Sequence, residues 1–141
     1  MFSTSLLLLL AVASYVHGEV LTQPPSMPVQ PRQSLSINCK VSYSVTRYNT
    51  AWIRQPAGKA LEWIGYISDN GDSVYSDKLK NKFSISRDTA TNTITIRGQN
   101  LQTEDTAVYY CVRWGWPTGF DYWGKGTTVT VTSAVQSAPK S

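Results

Sequence analysis

Asp105-Thr-Ala-Val-Tyr-Tyr-Cys111 and, beginning twelve positions after its cysteine, Trp123-Gly-Lys-Gly126 decide how the rest of the sequence is read. Between them lies Val112-Arg-Trp-Gly-Trp-Pro-Thr-Gly-Phe-Asp-Tyr122, dense in aromatic residues and punctuated by glycine and proline. Strand-like runs over residues 106–112 and 127–132 flank this insert, so the pattern predicts a long hairpin loop. Loops carried on a rigid sheet are where binding residues concentrate.

Outward from these anchors the chain alternates at strand period. Leu35, Ile37, Cys39 and Val41 alternate with Ser36, Asn38 and Lys40, which buries one face and puts Cys39 in the core. Phe83 and Ile85, then Ile94 and Ile96, then Val129 and Val131 repeat the pattern. Gly98 takes the next inward position after Ile96, and a neighbouring side chain is expected to fill its space. Short β-rich runs parted by Gly, Pro, Asn, Asp and Ser, with no long helical period, predict an all-β sandwich. Residues 19–23 read as an edge strand, because Pro24-Pro25 and Pro28 do not suit a central one. Asn70-Gly71 predicts a tight hairpin, and residues 101–105 a short helical turn. In the strand over residues 51–55, Trp52 and Arg54 share one face, and Ile53 and Gln55 the other. An isolated sandwich would leave Ile53 wet, which predicts a partner covering that face.

Composition bounds the chemistry. Leu6-Leu-Leu-Leu-Leu10, continued by Ala11-Val-Ala13 and ending in Val16-His-Gly18, predicts a secretory leader, although its first residues carry no Lys or Arg. Its apolar run falls short of the ~20 residues a membrane helix needs. Removing residues 1–18 takes away His17, the only histidine of the chain, and with it any His-based triad or His-ligated metal site. No metal or cofactor is expected. Both cysteines remain, in an exported context that permits a disulfide. The formal charge is +4, but the cationic residues stand singly. Nucleic-acid binding calls for clustered cations beside an aromatic platform, so the expectation is a solvated basic surface with no specific nucleic-acid binding. No Asn-x-Ser/Thr acceptor for N-glycosylation occurs.

Tyr109 stands two residues before Cys111, Cys39 and Trp52 complete a Cys…Trp…Cys order, and Trp123-Gly-Lys-Gly126 follows. Together these resemble the immunoglobulin heavy-chain variable domain over residues 19–133. Light chains and most T-cell receptor chains carry Phe where Trp123 stands. Tyr43-Ser-Val-Thr46 and Ala51-Trp-Ile-Arg-Gln-Pro-Ala-Gly-Lys-Ala-Leu-Glu-Trp63 look similar to bony-fish heavy chains. The resemblance implies a V-type two-sheet antiparallel sandwich with Greek-key connections. It also implies a leader over residues 1–18, a variable domain over 19–133 and the start of a truncated constant region over 134–141. A Cys39–Cys111 disulfide is implied, stabilising the fold by roughly 4 kcal/mol in the chain-entropy model, with Trp52 packed on it. Tyr109 should bond backbone near residues 101–105, Lys82 should meet Asp105, Arg54 should approach Glu62, and Arg113 should pair with Asp121 to kink the third-loop stem. Heavy chains usually carry a bulky apolar residue where Gly98 stands.

The same resemblance implies two binding surfaces. Three loops, at about residues 43–50, 67–73 and 112–122, would meet antigen through Arg47, Tyr48, Asn49, Tyr66, Asp69, Asn70, Asp72, Trp114, Trp116 and Thr118. For Trp114 and Trp116 the competing reading folds both indoles onto the framework. A second face, of Ile53, Gln55, Leu61, Trp63, Tyr110, Phe120 and Trp123, would pack on an immunoglobulin light chain, with Tyr122 also turned toward that partner. Leu61 and Trp63 favour pairing, because single-domain antibodies tend to carry polar or smaller residues there. Constant domains of the same heavy chain would follow, and the protein would be secreted or displayed on the outer face of the plasma membrane. A fixed-specificity immunoglobulin-superfamily receptor or adhesion domain is the alternative. No enzyme is expected, since the domain left after removal of the leader would lack histidine, a free thiol, a phosphate-cradling glycine loop and a carboxylate cluster.

Overall fold

The computed structural model describes residues 18–132. Residues 1–17 of the expected leader and the constant-region-like tail lie outside the described residues. Eleven strands follow in chain order: β1 (Leu21–Thr22), β2 (Ser26–Val29), β3 (Leu35–Val41), β4 (Asn49–Pro56), β5 (Glu62–Ile67), β6 (Ser73–Tyr75), β7 (Phe83–Asp88), β8 (Thr93–Gly98), β9 (Ala107–Gly115), β10 (Gly119–Trp123) and β11 (Thr127–Val131). A 3-10 turn, Thr103–Asp105, leads into β9. One sheet is ordered β1-β3-β8-β7; the other is β2-β11-β9-β4-β5-β6, with β10 paired to β9. β3 pairs with β8 and β4 with β9, so consecutive strands part to opposite sheets, as a Greek key requires. Among the described residues no helix is long and apolar enough to cross a membrane.

The expected edge strand is split in two. β1 pairs antiparallel with β3, whereas β2 pairs parallel with β11 in the other sheet. Pro24 and Pro25 fall between them. Having no N–H to give the first ladder, they release the chain to cross between sheets. Pro28 is tolerated because β2 is an edge. Gln23, at the crossing, plugs the widening gap beside the third hairpin. Its amide nitrogen donates to the Tyr109 carbonyl and to Thr127 Oγ1, each at 2.8 Å, and its oxygen accepts from Cys111 N at 3.1 Å. This accounts for the glycines of Trp123-Gly-Lys-Gly126. A Cβ on Gly124 would collide with the Gln23 amide oxygen, and Gly126 sits at φ +98 against Val108 and Tyr110.

The inward faces named from the sequence meet in one core around the Cys39–Cys111 bridge, with Trp52 in register with Cys111 and wholly buried. Gly98 has its expected filler. A Cβ there would stand 2.8 Å from the Phe83 ring and 3.3 Å from Leu101, so these two side chains occupy the vacated volume. Beneath the sandwich, Lys82 Nζ reaches Asp105 at 2.6 Å and Arg54 Nε reaches Glu62 at 2.8 Å, both as expected. Arg54 also donates to Asp105 at 2.9 Å and to the Tyr109 hydroxyl at 3.0 Å, which itself donates to the Asp105 carbonyl at 2.7 Å. Burial opposes ionisation of Asp105, but hydrogen bonds from Lys82, the Gln102 backbone and Arg54 outweigh it and hold the carboxyl below its usual range. Burial pushes the Tyr109 hydroxyl up to about 12.

Candidate functional site

The insert between Cys111 and Trp123 is mostly paired strand, which corrects the expectation of a long loop. β9 runs on to Gly115 and β10 starts at Gly119, opposite it, leaving Trp116, Pro117 and Thr118 as the turn. Trp114 and Phe120 face each other across the ladder with ring centroids 6.4 Å apart, the kind of aromatic pair that extends a hairpin. The register then skips between Phe120 and Tyr122, so Asp121 lies in a bulge. Its carboxylate takes a fork of hydrogen bonds from Arg113, Nε at 3.1 Å and Nη2 at 2.7 Å. That pairing lowers the Asp121 pKa and raises that of Arg113. The guanidinium also lies 4.2 Å from the ring centroid of Tyr48 in the first loop and 4.7 Å from that of Tyr122. Tyr122 thus turns onto its own domain and packs against the core, contrary to its expected direction toward a partner.

The first two loops are tied by hydrogen bonds from rigid strands. Asn49 Oδ1 accepts from Asp69 N at 3.0 Å, and the hydroxyls of Tyr43 and Thr50 pair at 2.6 Å. Burial raises the Tyr43 hydroxyl to about 12. In the second loop the Asn70 side chain takes Ser68 Oγ and the Asp72 amide. Arg87, on β7, donates to three carbonyls at once: Val45 at 2.9 Å, Ser68 at 3.2 Å and Asp69 at 2.8 Å. Sequence reasoning missed this brace. Its signal was present, since Arg87 continues the inward series Phe83, Ile85, and a cation at an inward position needs buried acceptors.

The candidates in the three loops therefore converge but differ in availability. Arg47, Tyr48, Asp69, Asn70, Asp72 and Thr118 are exposed, and Trp116 at the hairpin tip is 95% exposed. Asn49 is half-buried and spends its side chain on the second loop. Trp114 and Tyr66 are half-buried with centroids 4.7 Å apart. The two indoles weighed together from the sequence thus behave differently, Trp114 packing on the framework and Trp116 standing free.

The adjoining sheet face carries a continuous file of rings. Tyr110 meets Trp123 at 5.7 Å, Trp123 meets Phe120 at 6.2 Å, and Trp114 and Tyr66 carry the file to Trp63, 6.1 Å from Tyr66. Trp63, Tyr66, Trp114 and Phe120 enclose an apolar hollow of about 280 Å³. Leu61 is 52% exposed, Phe120 43% and Trp123 42%, and Gln55 is also exposed. Ile53 departs from expectation at 4% exposure. A bulge in the β4–β5 pairing sets Ile53 opposite Trp63, with Tyr110 opposite on the other side, and these large neighbours cover it without a partner. Among the described residues, no group of three His, Cys, Asp or Glu is placed to hold a metal ion.

A family model described as the immunoglobulin V-set domain matches residues 22–132. The chain is 40% identical over 122 residues to the Ig heavy chain V region XIG14 of Xenopus laevis, covering 85% of this chain and 90% of that one. It is 45% identical over 140 residues to the Ig heavy chain V region MOPC 315 of Mus musculus, covering 92% and 97% respectively. With the Ig heavy chain V region MOPC 141 of the same species the identity is 45% over 114 residues, covering 74% and 79%.

Proposed function

The chain belongs to the immunoglobulin V-set family as a heavy-chain variable domain, a domain of antigen recognition, and from that premise we propose how it binds and with what it pairs. Antigen is held non-covalently by Arg47, Tyr48, Asp69, Asn70, Asp72, Trp116 and Thr118, with Asn49, Tyr66 and Trp114 setting the shape beneath them. The observation that carries this reading is Trp116, left 95% exposed at the tip of a hairpin whose base is clamped by Arg113 and Asp121. Exposed tryptophan on a rigid support offers a large contact area with few rotatable bonds, which is what paratope anchors are made of.

The light-chain variable domain covers Leu61, Trp63, Tyr110, Phe120 and Trp123, with Gln55 exchanging amide hydrogen bonds across the pseudo-twofold axis. An apolar face of this extent favours a partner over water. Ile53 contributes from beneath by supporting Trp63 and Tyr110. Residues 19–133 form the variable domain, residues 134–141 open the constant region, and the whole heavy chain is secreted or displayed at the cell surface after loss of the leader.

Sequencing many transcripts from one animal, primed from the segment beginning at Ala134, tests the reading. Length and residues between Cys111 and Trp123 should differ from transcript to transcript while both anchors hold. A single invariant insert in every transcript would instead make this a receptor of fixed specificity.

A further inference from the structure

Cationic residues that stand singly along the sequence gather at one end of the β1-β3-β8-β7 sheet. They lie where β3 and β7 begin and β8 ends, at the opposite end of β3 from the first loop. Three neighbouring shallow hollows, of about 440, 480 and 560 Å³, share Gln99 in their lining and together outline a shallow trough. Arg32, Lys78, Lys80, Lys82 and Arg97 line it, and no carboxylate does. Two of the five are committed from behind, Lys82 to Asp105 at 2.6 Å and Lys78 to Glu62 at 2.7 Å. Lys80 has only a loose contact with the exposed Asp77 at 3.8 Å, and Arg32 and Arg97 make no ion pair among the described residues. Arg97 donates to Ser86 Oγ at 3.0 Å, leaving the rest of its guanidinium open to a ligand.

The trough is built as well as charged. Arg32 and Asn100, which both border its end, adopt left-handed backbone, φ 67 and φ 53. That conformation is uncommon for arginine and is held here by Arg32 N donating to the Leu101 carbonyl at 2.6 Å. Between the cations the lining is hydroxyl and amide: Ser34, Ser36, Ser84, Asn81 and Gln99. The only aromatic bordering it is Phe83, whose ring is buried, so no platform is offered on which a base could stack.

We propose that this trough binds a sulfated oligosaccharide. Guanidinium and ammonium groups pair with sulfate oxygens, while the serines, asparagine and glutamine exchange hydrogen bonds with sugar hydroxyls. The site is remote from the three loops, so it stands or falls independently of antigen recognition.

Calorimetric titration of the full chain with a heparin-derived hexasaccharide tests it. Saturable 1:1 binding is expected, weakening about tenfold or more between 50 and 200 mM salt as counter-ions are released. Combining Arg32→Gln, Lys80→Gln and Arg97→Gln should weaken binding at least about tenfold without moving the melting temperature, because Lys78 and Lys82 keep their structural pairs. Combining Lys40→Gln, Lys59→Gln and Lys125→Gln, outside the trough, should leave it unchanged. Undiminished binding by the first variant, equal binding of the unsulfated hexasaccharide, or tighter binding of a single-stranded oligonucleotide of equal charge would each overturn the proposal. So would the absence of saturable binding.

Discussion

The two ends of the sandwich are built from the same three groups, put to opposite uses. At the base, Arg54, Asp105 and Tyr109 are buried together, with Lys82 and Glu62 closing the network. At the loop end, Arg113, Asp121 and the tyrosines 48 and 122 repeat the cation, carboxylate and phenol within reach of water. The buried set leaves few polar atoms unpaired and has no room to rearrange, so it serves the fold. The part-exposed set clamps the third hairpin near water, so its loss would change the stance of that hairpin without endangering the domain.

Breaking the base should have the largest effect. Asp105→Asn leaves Arg54 buried with one anionic partner fewer and should cost about 3–5 kcal/mol, read as a lower midpoint in urea unfolding. If the loss is under ~1 kcal/mol, the base is no more important than the loop end and the comparison fails. Acid offers the same test without mutation. The folded pKa of Asp105 is held below the unfolded value of about 3.9, so its contribution is complete above that pH and is lost as pH falls through the folded value. Stability measured from pH 6 downward should fall along that limb, and Asp105→Asn should flatten it more than Asp121→Asn.

At the other end the effects shrink and become local. Arg113→Gln should lower global stability by only about 1 kcal/mol, yet hydrogen exchange should quicken at the amides of residues 114–116 and 118–120 while those of β3 and β8 stay protected. Equal quickening in both places would mean that the hub is part of the global fold. Trp116→Ala should change stability by less than ~0.5 kcal/mol, since nothing packs on the indole, while weakening antigen binding by about 2 kcal/mol or more.

How far the sequence could be read follows the same division. Leu35 to Val41, Cys39, Trp52, Tyr109 and Cys111 were legible because strand periodicity and fixed spacing are local signals, and they carry the core. The pairs Lys82–Asp105 and Arg113–Asp121 followed from the family resemblance. What stayed hidden depends on register and on long-range placement. The hairpin extends to Gly115 because Trp114 and Phe120 meet across it, and a linear reading of an aromatic-rich insert does not show that pairing. Ile53 is covered because a bulge shifts Trp63 opposite it. The inward position of Arg87 marks a cation in need of acceptors, but which carbonyls it reaches, those of residues 45, 68 and 69, depends on how the two loops are placed. The basic trough is likewise invisible until β3, β7 and β8 bring Arg32, Lys80 and Arg97 to one end.

The central claim is that the ring file from Trp63 to Trp123 is one half of a heterodimer. Sedimentation velocity of the chain, alone and mixed with a light-chain variable domain from the same species, tests it most directly. The account predicts a 1:1 complex that is lost when Leu61→Arg and Trp123→Arg are combined, with the folded monomer retained. A chain that stays monomeric in the mixture, or a complex indifferent to those two substitutions, would contradict it.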